Sequence, residues 1–366
     1  MNEVELAEQL LAFDTATAAG LERAMDFVAG WMHARDVRIR EERLGDRRCL
    51  IATAGAGATR VLFNGHMDVV PGHPDQFTPR RRGGRLYGRG AYDMKGALAA
   101  MMLATAEFSR QPSDGAVLDF LIVPDEERSE PGINCSEGLV RDGLTADFVI
   151  CGEPTDLHVG IQAKGVVLIC AHVSGVAAHG STPWLGENAV LRAIDLYGRM
   201  TQLPFMAESS DMFPSPSINL SRIDGGDALN SVPDTCAMWV DIRSLPGQDR
   251  RAIVEDVRAL DPSVRIDVVV DKPAANVAST HPFVEALVEA ARRADPQARV
   301  VGRDGSSDAI PFVEKGIPAV EFGPVGAGHH GPDEYVEMAS LGPYRQSLVA
   351  FVRAVAATSM SPEYVI

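Results

Sequence analysis

The chain has 366 residues, 46% of them hydrophobic, so its length suggests two to three domains with ample material for a sizeable core. A net charge of -16 excludes a phosphate backbone as partner unless a local basic stripe overrides it. The only basic cluster, Arg80-Arg81-Arg82, lies in a Pro/Gly-rich loop and reads as a solvated turn. No apolar run approaches the ~20 residues that span a bilayer, and the opening MNEVELAEQLLAF has no basic region or small-residue cleavage site. The five cysteines (Cys49, Cys135, Cys151, Cys170, Cys236) are scattered without a C-x-x-C, which fits reduced, packed thiols in a cytoplasmic protein.

Apolar spacing predicts helices over 1–12 and 20–35, then strands at 48–53 and 60–64. Residues 71–90 read as a long loop containing a hairpin. The segment 95–109 is apolar nearly all round and is expected to be a buried helix. Strands near 116–123 and 146–151, separated by a helix near 135–142, complete an alternation that predicts an α/β sheet. From Lys164-Gly165 the order changes to strand (166–174), helix (187–200), strands (217–223, 235–243), helix (248–260) and strand (264–270). This is the β-α-β-β-α-β split motif of ferredoxin-like domains. Alternation then resumes with helices at 281–293 and 308–315, a strand at 318–322 and a closing helix from about 340 to 357. The simplest account is one discontinuous domain, 1–164 with 274–366, into which 165–273 is inserted.

Candidate metal ligands follow the apolar runs in short polar turns, where open α/β sheets hold their ligands. They are His66, Asp93, Glu127, Glu153 and His330. His66 stands two before Asp68 on extended chain, so Asp68 can brace its ring; the plainer reading is a core histidine beside a loop aspartate. Asp93 precedes the buried helix and suits an N-cap equally well. Glu126 and Glu127 at a strand end repel each other unless a cation joins them. Glu153 before Pro154 also suits a simple turn, and His329 and His330 compete for one role.

The ordered motifs GHMDVVP, GRGAYDMKG, PDEE, GEPT and GHHGPDE make the chain resemble the M20 metallopeptidase family over essentially its whole length. That family includes acetylornithine deacetylase, succinyl-diaminopimelate desuccinylase and glutamate carboxypeptidases. The resemblance implies a di-metal aminopeptidase/phosphorylase-like catalytic domain with an inserted ferredoxin-like lid, and two Zn²⁺, with Co²⁺ or Mn²⁺ as alternatives. It implies that Asp93 bridges the metals, that His66 and Glu153 hold one, and that Glu127 and His330 hold the other. His330 is preferred to His329 because the family's histidine stands four before the glutamate, here Glu334. Glu126 would be the general base, taking a proton from the bridging water and delivering it to the leaving amine. With that water as hydroxide, the charges of two metals and three ligand carboxylates nearly cancel.

The same resemblance assigns lid roles. His179 in GVAAHGSTP would reach a neighbouring subunit's active site in a homodimer and support the developing oxyanion. Asn230 and Arg243 match positions that contact substrate, although Arg243 equally suits a surface ion pair. Ser306 and Ser307 match a carboxylate-binding turn at a helix start. Arg128 departs from the small residue common at its position. The GEPT glutamate resembles the deacylase branch, so the expected activity is cleavage of the amide of an N-acyl amino acid. The alternative is a carboxypeptidase or dipeptidase acting on a short peptide, and a third possibility is a binding relative that has lost catalysis. There is no G-x-S-x-G elbow, dinucleotide fingerprint or phosphate loop.

Overall fold

A computed structural model describes residues 1–112, 114–127, 133–305 and 308–359. The chain forms two compact units, the larger from Met1–Ile161, Val277–Val301 and the C-terminal segment, the smaller from Gln162–Asn276 and a short stretch from Gly302. The junctions thus lie three residues from those expected at 164/165 and 273/274, and the stretch at Gly302 was not foreseen.

In the larger unit, the sheet runs in the order Arg38–Leu44, Arg47–Ala56, Ala116–Val123, Thr59–His66, Phe148–Cys151, Ala319–Glu321 and Val159–Ala163. Four neighbours in its centre are parallel: Ala116–Val123, Thr59–His66, Phe148–Cys151 and Ala319–Glu321. Their apolar composition follows from burial on both faces, as parallel strands require. Register places His66 opposite Val123, and Asn64 opposite Cys151. The turns after these strands therefore emerge at one edge of the sheet.

Helix boundaries follow local chemistry. Asn2 caps Glu3–Leu11 in a capping box with Glu5, Thr17 caps Ala18–His33, and His281 with Pro282 starts Pro282–Ala294. The helix Gly96–Arg110 is buried along most of its length and packs against the closing helix Met338–Ser359. Beneath the sheet, Phe148 is fully buried and its ring meets Phe283, Phe351 and His281 at centroid separations of 5.5–5.7 Å. All five cysteines are buried and free. Among the described residues no helix is long and apolar enough to cross a membrane.

The smaller unit is an antiparallel sheet in the order Ser217–Gly225, Thr235–Ser244, Gly165–Ser174, Arg265–Lys272, with the helices Ala189–Met200 and Arg250–Leu260 packed on it. The second and third strands in sequence lie to one side of the first and the fourth to the other, the arrangement of a split β-α-β unit. Several strands escaped the pattern reading. Arg38–Leu44 is a charged edge strand with no apolar run, and Val159–Ala163 is short and Gly-interrupted.

Phe148→Ala removes a ring from a packed aromatic cluster and should cost roughly 3–5 kcal/mol. The check is a chemical denaturation curve whose midpoint falls while its slope is retained.

Candidate metal centre

The strand Thr59–His66 ends on His66, which is fully buried. Its Nδ1 lies 3.0 Å from the main-chain oxygen of Asp68, and that contact sets the ring so that Nε2 faces the site. The Asp68 carboxylate stands farther off, at 3.7 Å. Ring bracing thus comes from the Asp68 carbonyl, because the chain turns once the strand ends. The carboxylate itself accepts the backbone N–H groups of Glu126 and Glu127 at 3.2 and 2.9 Å. It ties the turn after Ala116–Val123 to the turn after Thr59–His66.

Asp93 is not the N-cap of the buried helix. It lies in a wide turn, Ala91–Lys95, with non-helical angles at Asp93 and Met94 and a cis Asp93–Met94 peptide. Its Oδ1 is 3.1 Å from His66 Nε2, while its Oδ2 is 3.6 Å from His330 Nε2. The two carboxylate oxygens thus face two different histidines. His66 also has Glu153 Oε1 at 4.0 Å, and His330 has Glu127 Oε1 at 2.9 Å. His329 turns its ring to Tyr92, 5.9 Å between centroids, so it is His330 that meets Glu127. His330 has a positive φ of 61°, a conformation that costs a non-glycine residue roughly 1–2 kcal/mol. Gly323 lies against the Glu153 backbone, where an added Cβ would stand 2.2 Å from the Glu153 carbonyl oxygen.

The electrostatics are those of a cation site. Burial pushes Glu153 and Glu126 well above the ordinary carboxylate range, with nearby carboxylates adding to the shift, and burial also raises Glu127. Burial works against charge on His66, but the hydrogen bond to Asp93 and the nearby carboxylates prevail and raise its pKa well above 6.5. Asp93 is held low despite burial by its hydrogen bond to His66 and by the neighbouring histidines. Glu153 Oε1 is buried without a hydrogen-bond partner. Donor atoms of His66, Asp93 and Glu127 lie within 4.8 Å of one another, which suits a metal ion. Nitrogen and oxygen donors crowded in this way, with one buried oxygen unsatisfied, fit divalent metals.

Some partners were not foreseen. Asp308, pushed up to about 6 by burial, accepts Asn64 Nδ2 at 3.0 Å, and Asn64 in turn accepts from Ser136. Lys95 is fully buried, donates to the Phe13 carbonyl at 2.9 Å, and is lowered to about 7 by burial. Only Asn64 carried a signal in the sequence, its place two before His66 on one strand face. In the smaller unit, His179 and Asn230 are exposed, and His179 Nδ1 is bonded to Ser181. The Arg243 fork is occupied by Asp241 at 2.8 and 2.9 Å, the ion pair weighed above. Ser306, Ser307 and Arg128 lie outside the described residues.

An α/β sheet with this acid and imidazole cluster at its strand ends is the architecture of a metal-dependent enzyme. The sequence matches peptidase family M20/M25/M40 over residues 62–354, and the chain belongs to that family. It is 30% identical over 374 residues to a succinyl-diaminopimelate desuccinylase from Caulobacter sp. (strain K31), covering 95% of both chains. It is 28% identical over 379 residues to an acetylornithine deacetylase from Photorhabdus laumondii, covering 94% of each. The fold is shared with a dinuclear metal-binding peptidase of family M20 from Bacillus subtilis, with a TM-score of 0.72 at 17% identity over 97% of this chain and 98% of that one.

A carboxyl with a raised pKa is neutral in both states below its ordinary value, here 4.5, and destabilises the fold as pH climbs through the raised value. His66, also raised, stabilises below 6.5 and loses that contribution as pH climbs through its own raised value. Both effects weaken the metal-free protein with rising pH, and metals compete with the same protons. The melting-temperature gap between metal-loaded and chelated protein should therefore widen from pH 4.5 upward. A gap independent of pH would contradict this account of the cluster.

Proposed function

We propose that the protein is a dinuclear zinc deacylase that cleaves the amide of an N-acyl amino acid, of the acetyl or succinyl type, and releases the free amine. The observation that carries the dinuclear reading is the division of Asp93, whose two oxygens face His66 and His330 separately. Asp93 would then be shared by both metals, with His66 and Glu153 holding one and Glu127 and His330 the other. Zinc suits these imidazole and carboxylate donors, and Co²⁺ or Mn²⁺ would occupy the same set. When bound, the metals supply Lewis acidity toward the scissile carbonyl and the attacking water.

Glu126 is the general base. Burial raises its pKa, the direction needed to hold a proton between its removal from water and its delivery to the leaving amine. Asp68 fixes Glu126 through the backbone, holding base and ligand in one turn. The names of the relatives support the acyl amino acid as substrate class. Glu126→Gln should lower kcat by about 10²–10⁴-fold while metal content stays at two equivalents. A panel of N-acetyl and N-succinyl amino acids against dipeptides tests the substrate class. Faster turnover of dipeptides would replace the deacylase with a peptidase.

The smaller unit would serve as lid and dimerisation domain, in a cytoplasmic homodimer, with His179 supporting the oxyanion and Asn230 and Arg243 contacting substrate. Its exposed apolar residues Val176, Trp184, Leu185, Leu191, Ile194 and Leu229 are what such an interface needs. Ser306 and Ser307 would bind the substrate carboxylate. Sedimentation should give a dimer, and Trp184→Glu with Leu191→Glu should give monomers of much reduced activity. A fully active monomer would remove the role given to His179.

A further inference from the structure

Glu334 is almost wholly buried, yet it lies in a loop beside the site, four residues after His330. Its Oε1 accepts the backbone N–H groups of Tyr92 and Asp93, both at 3.0 Å. Its Oε2 accepts the N–H of Gly90 at 2.8 Å and Arg89 Nη1 at 2.9 Å. A carboxylate has about four acceptor positions, and here all four are filled by N–H donors. Arg89, also buried, uses its second terminal nitrogen, Nη2, on the main-chain oxygen of His330 at 3.2 Å. One ion pair therefore grips the turn that carries Asp93 and the strained, positive-φ residue that carries the His330 imidazole.

We propose that the Arg89–Glu334 pair is a positioning latch that sets the distance between Asp93 and His330, and so preorganises the bridged metal pair. The proposal rests on the reading of these two residues as ligands. The wide turn at Ala91–Lys95 leaves the N–H groups of Gly90, Tyr92 and Asp93 outside a regular helix, and Glu334 is what satisfies them. Without it the turn has no buried acceptor for these donors, and the Asp93 carboxylate loses its fixed direction. Arg89 carries the constraint across to His330.

An isosteric Glu334→Gln turns two acceptor positions into donors that face existing donors, so it breaks the latch with almost no change in volume. Arg89→Lys leaves the three backbone bonds to Glu334 but removes the fork that reaches His330. The experiment is calorimetric titration of chelated wild type, E334Q and R89K with Co²⁺, together with the visible absorption spectrum of each Co²⁺ form. E334Q should bind both equivalents about 10–100-fold more weakly, the usual loss when an outer-shell partner is removed. R89K should weaken mainly one equivalent, and both spectra should differ from wild type. Wild-type affinity and spectrum in both variants would overturn the latch. If E334Q does not fold, R89K decides alone, and wild-type behaviour there overturns the proposal. A wild-type protein that binds no Co²⁺ would instead overturn the metal reading itself, and the latch with it.

Discussion

The structure depends on how many buried carboxylates can be crowded at one edge of a parallel sheet. Buried Asp68 and Glu334 and the partly buried Asp93, Glu126, Glu127 and Glu153 all gather where the central strands end, around a fully buried histidine. Bare like charges in such a place would shift their pKa values and neutralise rather than coexist. The fold handles them in two ways, and the difference separates scaffold from chemistry.

One group is satisfied by the protein. Asp68 takes two backbone N–H groups, Glu334 takes three and an arginine, and Asp125 takes the Cys135 N–H and Arg47. Each ties a turn to a distant segment, so these charges act as structural fasteners held by backbone N–H groups. The other group, Asp93, Glu127, Glu153 and Glu126, faces inward toward histidines and one another. There burial raises the pKa of Glu126, Glu127 and Glu153, and Glu153 keeps an unsatisfied oxygen. A side chain's unmet valence, more than its burial, marks the functional set.

Much of this was legible in the sequence because the parallel strands announce themselves. An apolar run that breaks into a polar turn, as at Phe148–Cys151 before Glu153, both forms the strand and exposes the next side chain at its end. The β-α-β-β-α-β order was equally plain, since its strands alternate and its helices carry one apolar face. Arg38–Leu44 was not legible because an edge strand needs no apolar run once its neighbour supplies the hydrogen bonds. Asp93 read equally well as an N-cap, and only the geometry of its turn excludes that. The work of Glu334 was hidden for another reason: its partners stand more than 240 residues away, and no local pattern encodes them. Nor does spacing say that Asp68 would turn its carbonyl, and not its carboxylate, toward His66.

The ligand candidates all belong to the larger unit, while His179, Asn230 and Arg243 belong to a unit with its own sheet and core. The hydrolytic centre is therefore built on elements whose positions are fixed by parallel-sheet register and buried fasteners, where a shift of a fraction of an ångström is costly. Of the groups that would read the substrate, His179 and Asn230 are exposed, and Arg243 stands half-buried near the end of the strand Thr235–Ser244, its guanidinium on an exchangeable ion pair with Asp241. Such a division would let selectivity change without disturbing the carboxylates at the strand ends.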